Sequence, residues 1–164
     1  MTEAQFVDTN IFLRYLTADP DRYNACLALF QQAERNQVSL VTSEAIIAEI
    51  VYVLSSPKHY QLSRQQIRVA LSRLLLLPGL KMTNRNTHLR ALALYAQHAA
   101  LDFEDCLSVA HMAKVGTQQI YSYDRELDRL AGVERLEPSP QQEERGRVIQ
   151  AEQPVRKTEQ ATDE

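Results

Sequence analysis

Two rhythms of apolar and polar positions run along the chain, and the switch from one to the other marks the elements. Tyr23, Cys26, Leu27, Phe30 and Ala33 recur at three- and four-residue intervals, the spacing of one buried helical stripe, and predict a helix over about residues 20–35. Ile67, Ala70, Leu71, Leu74 and Leu75 repeat that period from Ser63 until Pro78-Gly79 stops it. Leu89, Leu92, Ala93 and Ala96 predict another helix, with Asn86 as its cap. Three more are predicted: from Asn10, as cap, through Leu16; from Ser43 to about Ser55; and from about 103 to 115, ending near Gly116. Between them lie short strand-like runs at 5–7, 38–42 (VSLVT), 80–83 (LKMT) and 119–123 (QIYSY). The first reads as a buried strand that ends on the carboxylate of Asp8.

Strands separated by helices imply parallel pairing with helices on both faces of a sheet. The expectation is therefore an α/β protein, a three-layer α/β/α domain with a short central parallel sheet. In such sheets ligands bind beyond the carboxyl ends of the strands. Asp8 and Asp124 each follow a predicted strand, so both are expected at that edge.

Composition narrows the class. A chain of 164 residues with 45% hydrophobic content suits one domain with a real core. Residues 1–136 hold 14 basic and 14 acidic side chains, so the net charge of -3 resides in residues 137–164, with four basic and seven acidic. That segment, rich in proline and charge, is expected to be a disordered polar tail behind a folded domain at 1–136. Cys26 and Cys106 lack the spacing of a metal site or a disulfide framework and read as small buried residues. No apolar run is long enough for a membrane span and no signal peptide is evident, so a soluble, cytoplasmic protein is expected.

The acidic residues carry the candidate chemistry. Glu49 has Ala45, Ile46, Tyr52 and Val53 one turn away, so its carboxylate is expected within an apolar surface, where it needs a partner. Glu44 complements the dipole of the same helix and reads as structural. Asp102 and Asp105 stand three apart at a helix start, close to a capping box. Asp124 opens RELDRL and also suits a cap. Singly, each has a structural account. Converging, Asp8, Glu49, Asp105 and Asp124 would repel one another, and a hard divalent cation held by oxygen ligands, magnesium or manganese, is the usual remedy.

VDTNIFLRYL, an acidic residue in AEIVYVL, DFEDCLSVA and YSYDREL, in that order over residues 5 to about 136, closely resemble the PIN-domain ribonucleases, in particular VapC-type toxins of bacterial toxin-antitoxin pairs. The resemblance implies a magnesium- or manganese-dependent endoribonuclease. Its acidic centre would be Asp8, Glu49, Asp105 and Asp124, with Asn10 orienting a ligand or water beside Asp8 and Asp102 as a secondary site residue. It also implies an antitoxin partner that inserts near the active site, and a homodimer. Phe12, Tyr15 and Leu16 suit either a partner groove or the core.

His59, His88, His98 and His111 lie away from the acidic motifs and read as surface or packing residues. Arg14, Arg64, Arg68, Arg73, Arg85 and Arg90 are the candidates for attracting RNA. Two other functions compete. A haloacid-dehalogenase-type phosphatase requires a second acidic residue two positions after the first, where Asn10 stands. A catalytically silent PIN-fold binding module, acting through a protein partner, keeps the fold without turnover.

Overall fold

The computed structural model describes residues 3–139. The tail expected to be disordered falls almost entirely outside the described residues.

Strand β1 (Gln5–Phe6) leads into helix α1 (Thr9–Leu16), then α2 (Tyr23–Glu34), β2 (Leu40–Val41), α3 (Glu44–Ser55) and α4 (Arg64–Leu75). Strand β3 (Leu80–Lys81), α5 (Arg85–Gln97), α6 (Phe103–Val115), β4 (Gln119–Tyr121), a 3-10 helix (Arg125–Arg129) and β5 (Glu134–Leu136) complete the order. All pairings are parallel, as the alternation of helices and strands predicts. Strands β1, β2 and β3 lie side by side, with Gln5 opposite Leu40 and Leu40 opposite Leu80, while β4 and β5 form a separate pair. The strands are shorter than the sequence suggests, because only two or three residues of each find a ladder partner.

The core lies between the sheet and the helices. Phe12, Leu40, Ile47, Ile50, Leu54, Ile67, Leu71 and Leu92 are fully buried in it. Phe12 packs its ring 5.4 Å from Phe30, which places it in the core rather than in a groove. Both cysteines are buried and free, and burial pushes the Cys106 thiol up to about 11. No described helix is long and apolar enough to cross a membrane.

Several local expectations need correction. Strand β1 is not buried: Phe6 is 63% exposed and only Val7, beyond the ladder, is inside. Asn10 does not cap α1, because the helix begins one residue earlier and Asp8 holds the N-cap position. Asn84, in the left-handed region at φ 56°, stands at the cap of α5 instead of Asn86. Strand β5 was not legible in ERL, since three residues carry no period of their own and are strand only because β4 lies beside them.

Candidate active site

Asp8 ends the segment after β1, where the amide of Val7 donates to the Val41 carbonyl at 2.8 Å and the Thr42 hydroxyl donates to the Val7 carbonyl at 3.2 Å. Those bonds fix the backbone that carries Asp8 at the carboxyl edge of the sheet. Its side chain makes no capping hydrogen bond, so the carboxylate stays exposed and available, in contact with the Asn10 amide, which donates to Oδ2 at 3.4 Å. Thr9, buried beside it, donates its hydroxyl to Glu49 Oε2 at 2.7 Å. One residue of α1 thereby holds the α3 carboxylate next to the Asp8 segment.

Glu49 is exposed, which overturns the expectation of an apolar enclosure. Ile46, Ile47, Ile50, Val51 and Leu54 take the inner face of α3, leaving Glu49 on the outer face with Ala45 and Tyr52. Apolar neighbours in sequence were not neighbours in the core.

The amino end of α6 is a reciprocal capping box. Asp105 donates its amide to Asp102 Oδ1 at 2.9 Å, and Asp102 donates its amide to Asp105 Oδ2 at 3.3 Å. Partial burial, the side chain and charge of Asp102, and the charge of Asp124 all push the Asp105 carboxyl above the usual carboxylate range, against one lowering backbone bond. Those three carboxylates therefore share one electrostatic neighbourhood. Asp124 caps the 3-10 helix as expected, accepting from the Glu126 amide through Oδ1 at 2.9 Å. Its turn is fastened by Arg135, which donates to the Ser122 carbonyl at 2.9 Å while bridging Asp128 at 3.0 Å and Glu137 at 2.5 Å. Sequence reasoning missed Arg135; its place in the middle of a three-residue strand that carries no period left no signal.

The structure thus brings Asp102, Asp105 and Asp124 together and joins Asp8, Asn10 and Glu49 through α1. Among the described residues, no three His, Cys, Asp or Glu side chains stand close enough together to hold a metal ion. In kind, the donors fit a hard divalent cation: they are oxygens, and partial burial together with the carboxylates of Asp102 and Asp124 holds Asp105 above its ordinary range, which a cation would offset. In arrangement, the carboxylates have to close further to share one ion.

The arginines divide. Arg64 is structural: its Nη1 donates to the carbonyls of Tyr95 at 3.1 Å, His98 at 3.0 Å and Leu101 at 2.5 Å, with the guanidinium carbon 4.1 Å from the Tyr95 ring centre. Arg14 is paired with Asp19 at 2.7 Å. His88 is fully buried, with Nδ1 3.2 Å from the Asn84 carbonyl, and desolvation lowers its pKa, so it packs rather than acts at the acidic site.

A search of curated proteins finds no match. Among solved structures, the chain is similar to the crystal structure of Mycobacterium tuberculosis VapC20, described as a sarcin-ricin loop cleaving toxin, at 20% identity over 74% of this chain and 90% of that one. The TM-score is 0.34, too low for that likeness to carry an argument. The sequence profile of the PIN domain matches residues 6–133, from the strand before Asp8 to the turn before β5. The chain belongs to the PIN domain family.

Proposed function

We propose that the protein is a magnesium- or manganese-dependent endoribonuclease, the toxin of a toxin-antitoxin pair, acting in the cytoplasm. The observation that carries the reading is the PIN-domain match over residues 6–133, within which Asp8 lies exposed at the carboxyl edge of the sheet and partial burial, Asp102 and Asp124 together raise the Asp105 carboxyl. The capping box accounts for Asp102 and Asp105 lying together, and a bound cation would offset the charge that Asp124 adds to them.

In this reading Asp8 and Asp105 would hold the metal, and Glu49 and Asp124 would complete the site or bind its waters. When bound, the ion supplies an activated water and offsets charge on the phosphate. Thr9 fixes the Glu49 carboxylate, Asn10 orients a ligand beside Asp8, and the Asp102 cap keeps the first turn of α6, with Asp105, in place. Ser122 and Arg135 hold the turn from which Asp124 projects.

The antitoxin and the second protomer belong to the same reading. A groove of about 880 Å³ between α1, α2 and α4, lined by Tyr15, Leu16, Tyr23, Leu27, Phe30 and Leu77 among others, suits an amphipathic segment of the antitoxin. The dimer would be formed elsewhere on the surface.

The test is cleavage of a mixed cellular RNA pool by protein free of bound inhibitor, with manganese or magnesium, with chelator, and with Asp8→Asn. Metal-dependent cutting that falls by about 100-fold or more in the variant is the expected result. Full-rate cutting by Asp8→Asn would overturn the site assignment. Absence of cutting under every metal would leave the silent binding module.

A further inference from the structure

Tyr52 is 69% exposed, so its ring adds little to the core, and it stands three positions after Glu49 on the outer face of α3. Side chains at that spacing lie about 5–6 Å apart on a helix surface. The ring is therefore next to the carboxylate that Thr9 holds.

The same ring lines a cavity of about 170 Å³, shared with Ser55 of α3, Tyr95 of α5, and Asp102, Phe103 and Glu104 at the start of α6. Through Asp102 the cavity adjoins the capping box and hence Asp105. A drug-sized ligand needs about 300–1,000 Å³, so this space takes no more than one planar ring system. Tyr95 and Phe103 are buried, with ring centres 6.0 Å apart and edge to face, and with Tyr52 they make three of its walls aromatic.

Most of the polar groups around it accept rather than donate. The Ser55 hydroxyl donates to the Tyr52 carbonyl at 3.2 Å and keeps only its lone pairs, and ionised carboxylates accept only. Arg64, in the same wall, has Nη1 committed to three carbonyls. Asp102 Oδ1 is taken by the helix cap, whereas the Glu104 carboxylate has no ion pair or hydrogen bond among the described residues. Carboxylates repel a phosphate but accept from a base. Bases of single-stranded RNA stack on aromatic rings and are read along their Watson–Crick edges. Of the four, guanine offers two neighbouring donors there, N1–H and the N2 amino group, which match the two oxygens of one carboxylate. Adenine and cytosine offer one amino group, and uracil a single N–H.

We infer that the cavity between α3 and α6 takes a guanine base of the RNA substrate, beside the scissile phosphate, stacked on Tyr52 and bonded through N1–H and the N2 amino group to Glu104. The inference rests on the nuclease reading for its ligand, to which it adds a base preference, and on the cavity for its place.

The test uses the full chain carrying Asp8→Asn, to prevent cutting, in magnesium. Anisotropy follows its binding to fluorescein-labelled oligouridine RNA with guanosine, inosine, adenosine or uridine at one central position. The guanosine oligomer is expected to bind roughly 10-fold or more tightly than the adenosine one, with inosine, which lacks the N2 amino group, between them. Glu104→Gln should erase that preference. Tyr52→Ala should weaken every oligomer roughly fivefold or more without changing the salt dependence, and Tyr52→Phe should restore binding. Both side chains are exposed, so the melting midpoints of these variants should match that of the parent. Equal binding of the guanosine and adenosine oligomers, or a preference that survives Glu104→Gln, would overturn the inference. So would a Tyr52→Ala protein that binds RNA normally but changes its association state in sedimentation, which gives the ring to a second copy of the chain. Binding of guanosine monophosphate without any preference among the oligomers would give the cavity to a free nucleotide and overturn it too. A guanosine preference in a wild-type chain that never cuts RNA would keep the cavity and sink the nuclease reading, whereas metal-dependent cutting without that preference would do the reverse.

Discussion

Replacing Arg64 should test how the acidic end of α6 is held in place. Its Nη1 faces three carbonyls, those of Tyr95, His98 and Leu101, which close α5 and the turn just before Asp102. One nitrogen has two hydrogens, so two of these bonds are made at full strength. Hydrogen bonds from a charged donor contribute about 1.5–3 kcal/mol each, and partial exposure of this side chain argues for the lower end. Stacking over Tyr95 adds about 0.5–1 kcal/mol. Arg64→Ala is then expected to cost about 3–4 kcal/mol, which for a domain of this size lowers the midpoint by roughly 10 °C. Arg64→Lys keeps a charged donor but loses the planar fork, so it should recover about half. Circular dichroism melts of the three proteins make the comparison, and cleavage rates report whether the Asp102 cap has shifted. A melt of Arg64→Ala within about 2 °C of wild type would refute the assignment and return Arg64 to the candidates for contacting RNA.

The remaining predictions concern other parts of the molecule. Gly79→Ala is expected to destabilise by about 3 kcal/mol or more, measured by urea unfolding, because a Cβ there would lie 2.5 Å from the Val38 carbonyl oxygen and 2.6 Å from that of Ala33, both backbone. Manganese should raise the melting midpoint of the wild type, by the equivalent of about 2.7 kcal/mol at a hundredfold excess over its dissociation constant, and lose most of that effect in Asp105→Asn. An equal rise in the variant would remove Asp105 from the ligands. His88 is neutral where it is buried, with its pKa below the ordinary 6.5, so the unfolded chain takes up its proton first as pH falls. Stability should therefore drop below pH 6.5 until the folded pKa is reached, and His88→Gln should flatten that limb in melts taken between pH 7.5 and 5; parallel limbs would refute it.

The sequence by itself determined the order of the helices and of the first four strands. Six helices stand where apolar periodicity puts them, because burying a stripe of Leu, Ile and Ala is a local pattern with a global reward. The capping box of Asp102 and Asp105 and the cap at Asp124 were legible too, since the bonds reach only two or three residues along the chain. Tertiary structure decided what depends on distant partners. Whether Glu49 lies inside or outside follows from which face of α3 the helices α1, α4 and α6 leave uncovered, and the Thr9 hydroxyl that holds it comes from 40 residues away. Arg64 looked like a cation for RNA until three carbonyls more than 30 residues distant claimed it. Strand β5 exists because β4 offers it a ladder. Periodicity and capping are encoded within a turn or two of chain, whereas the occupancy of a donor or a face is settled only when remote segments compete for it.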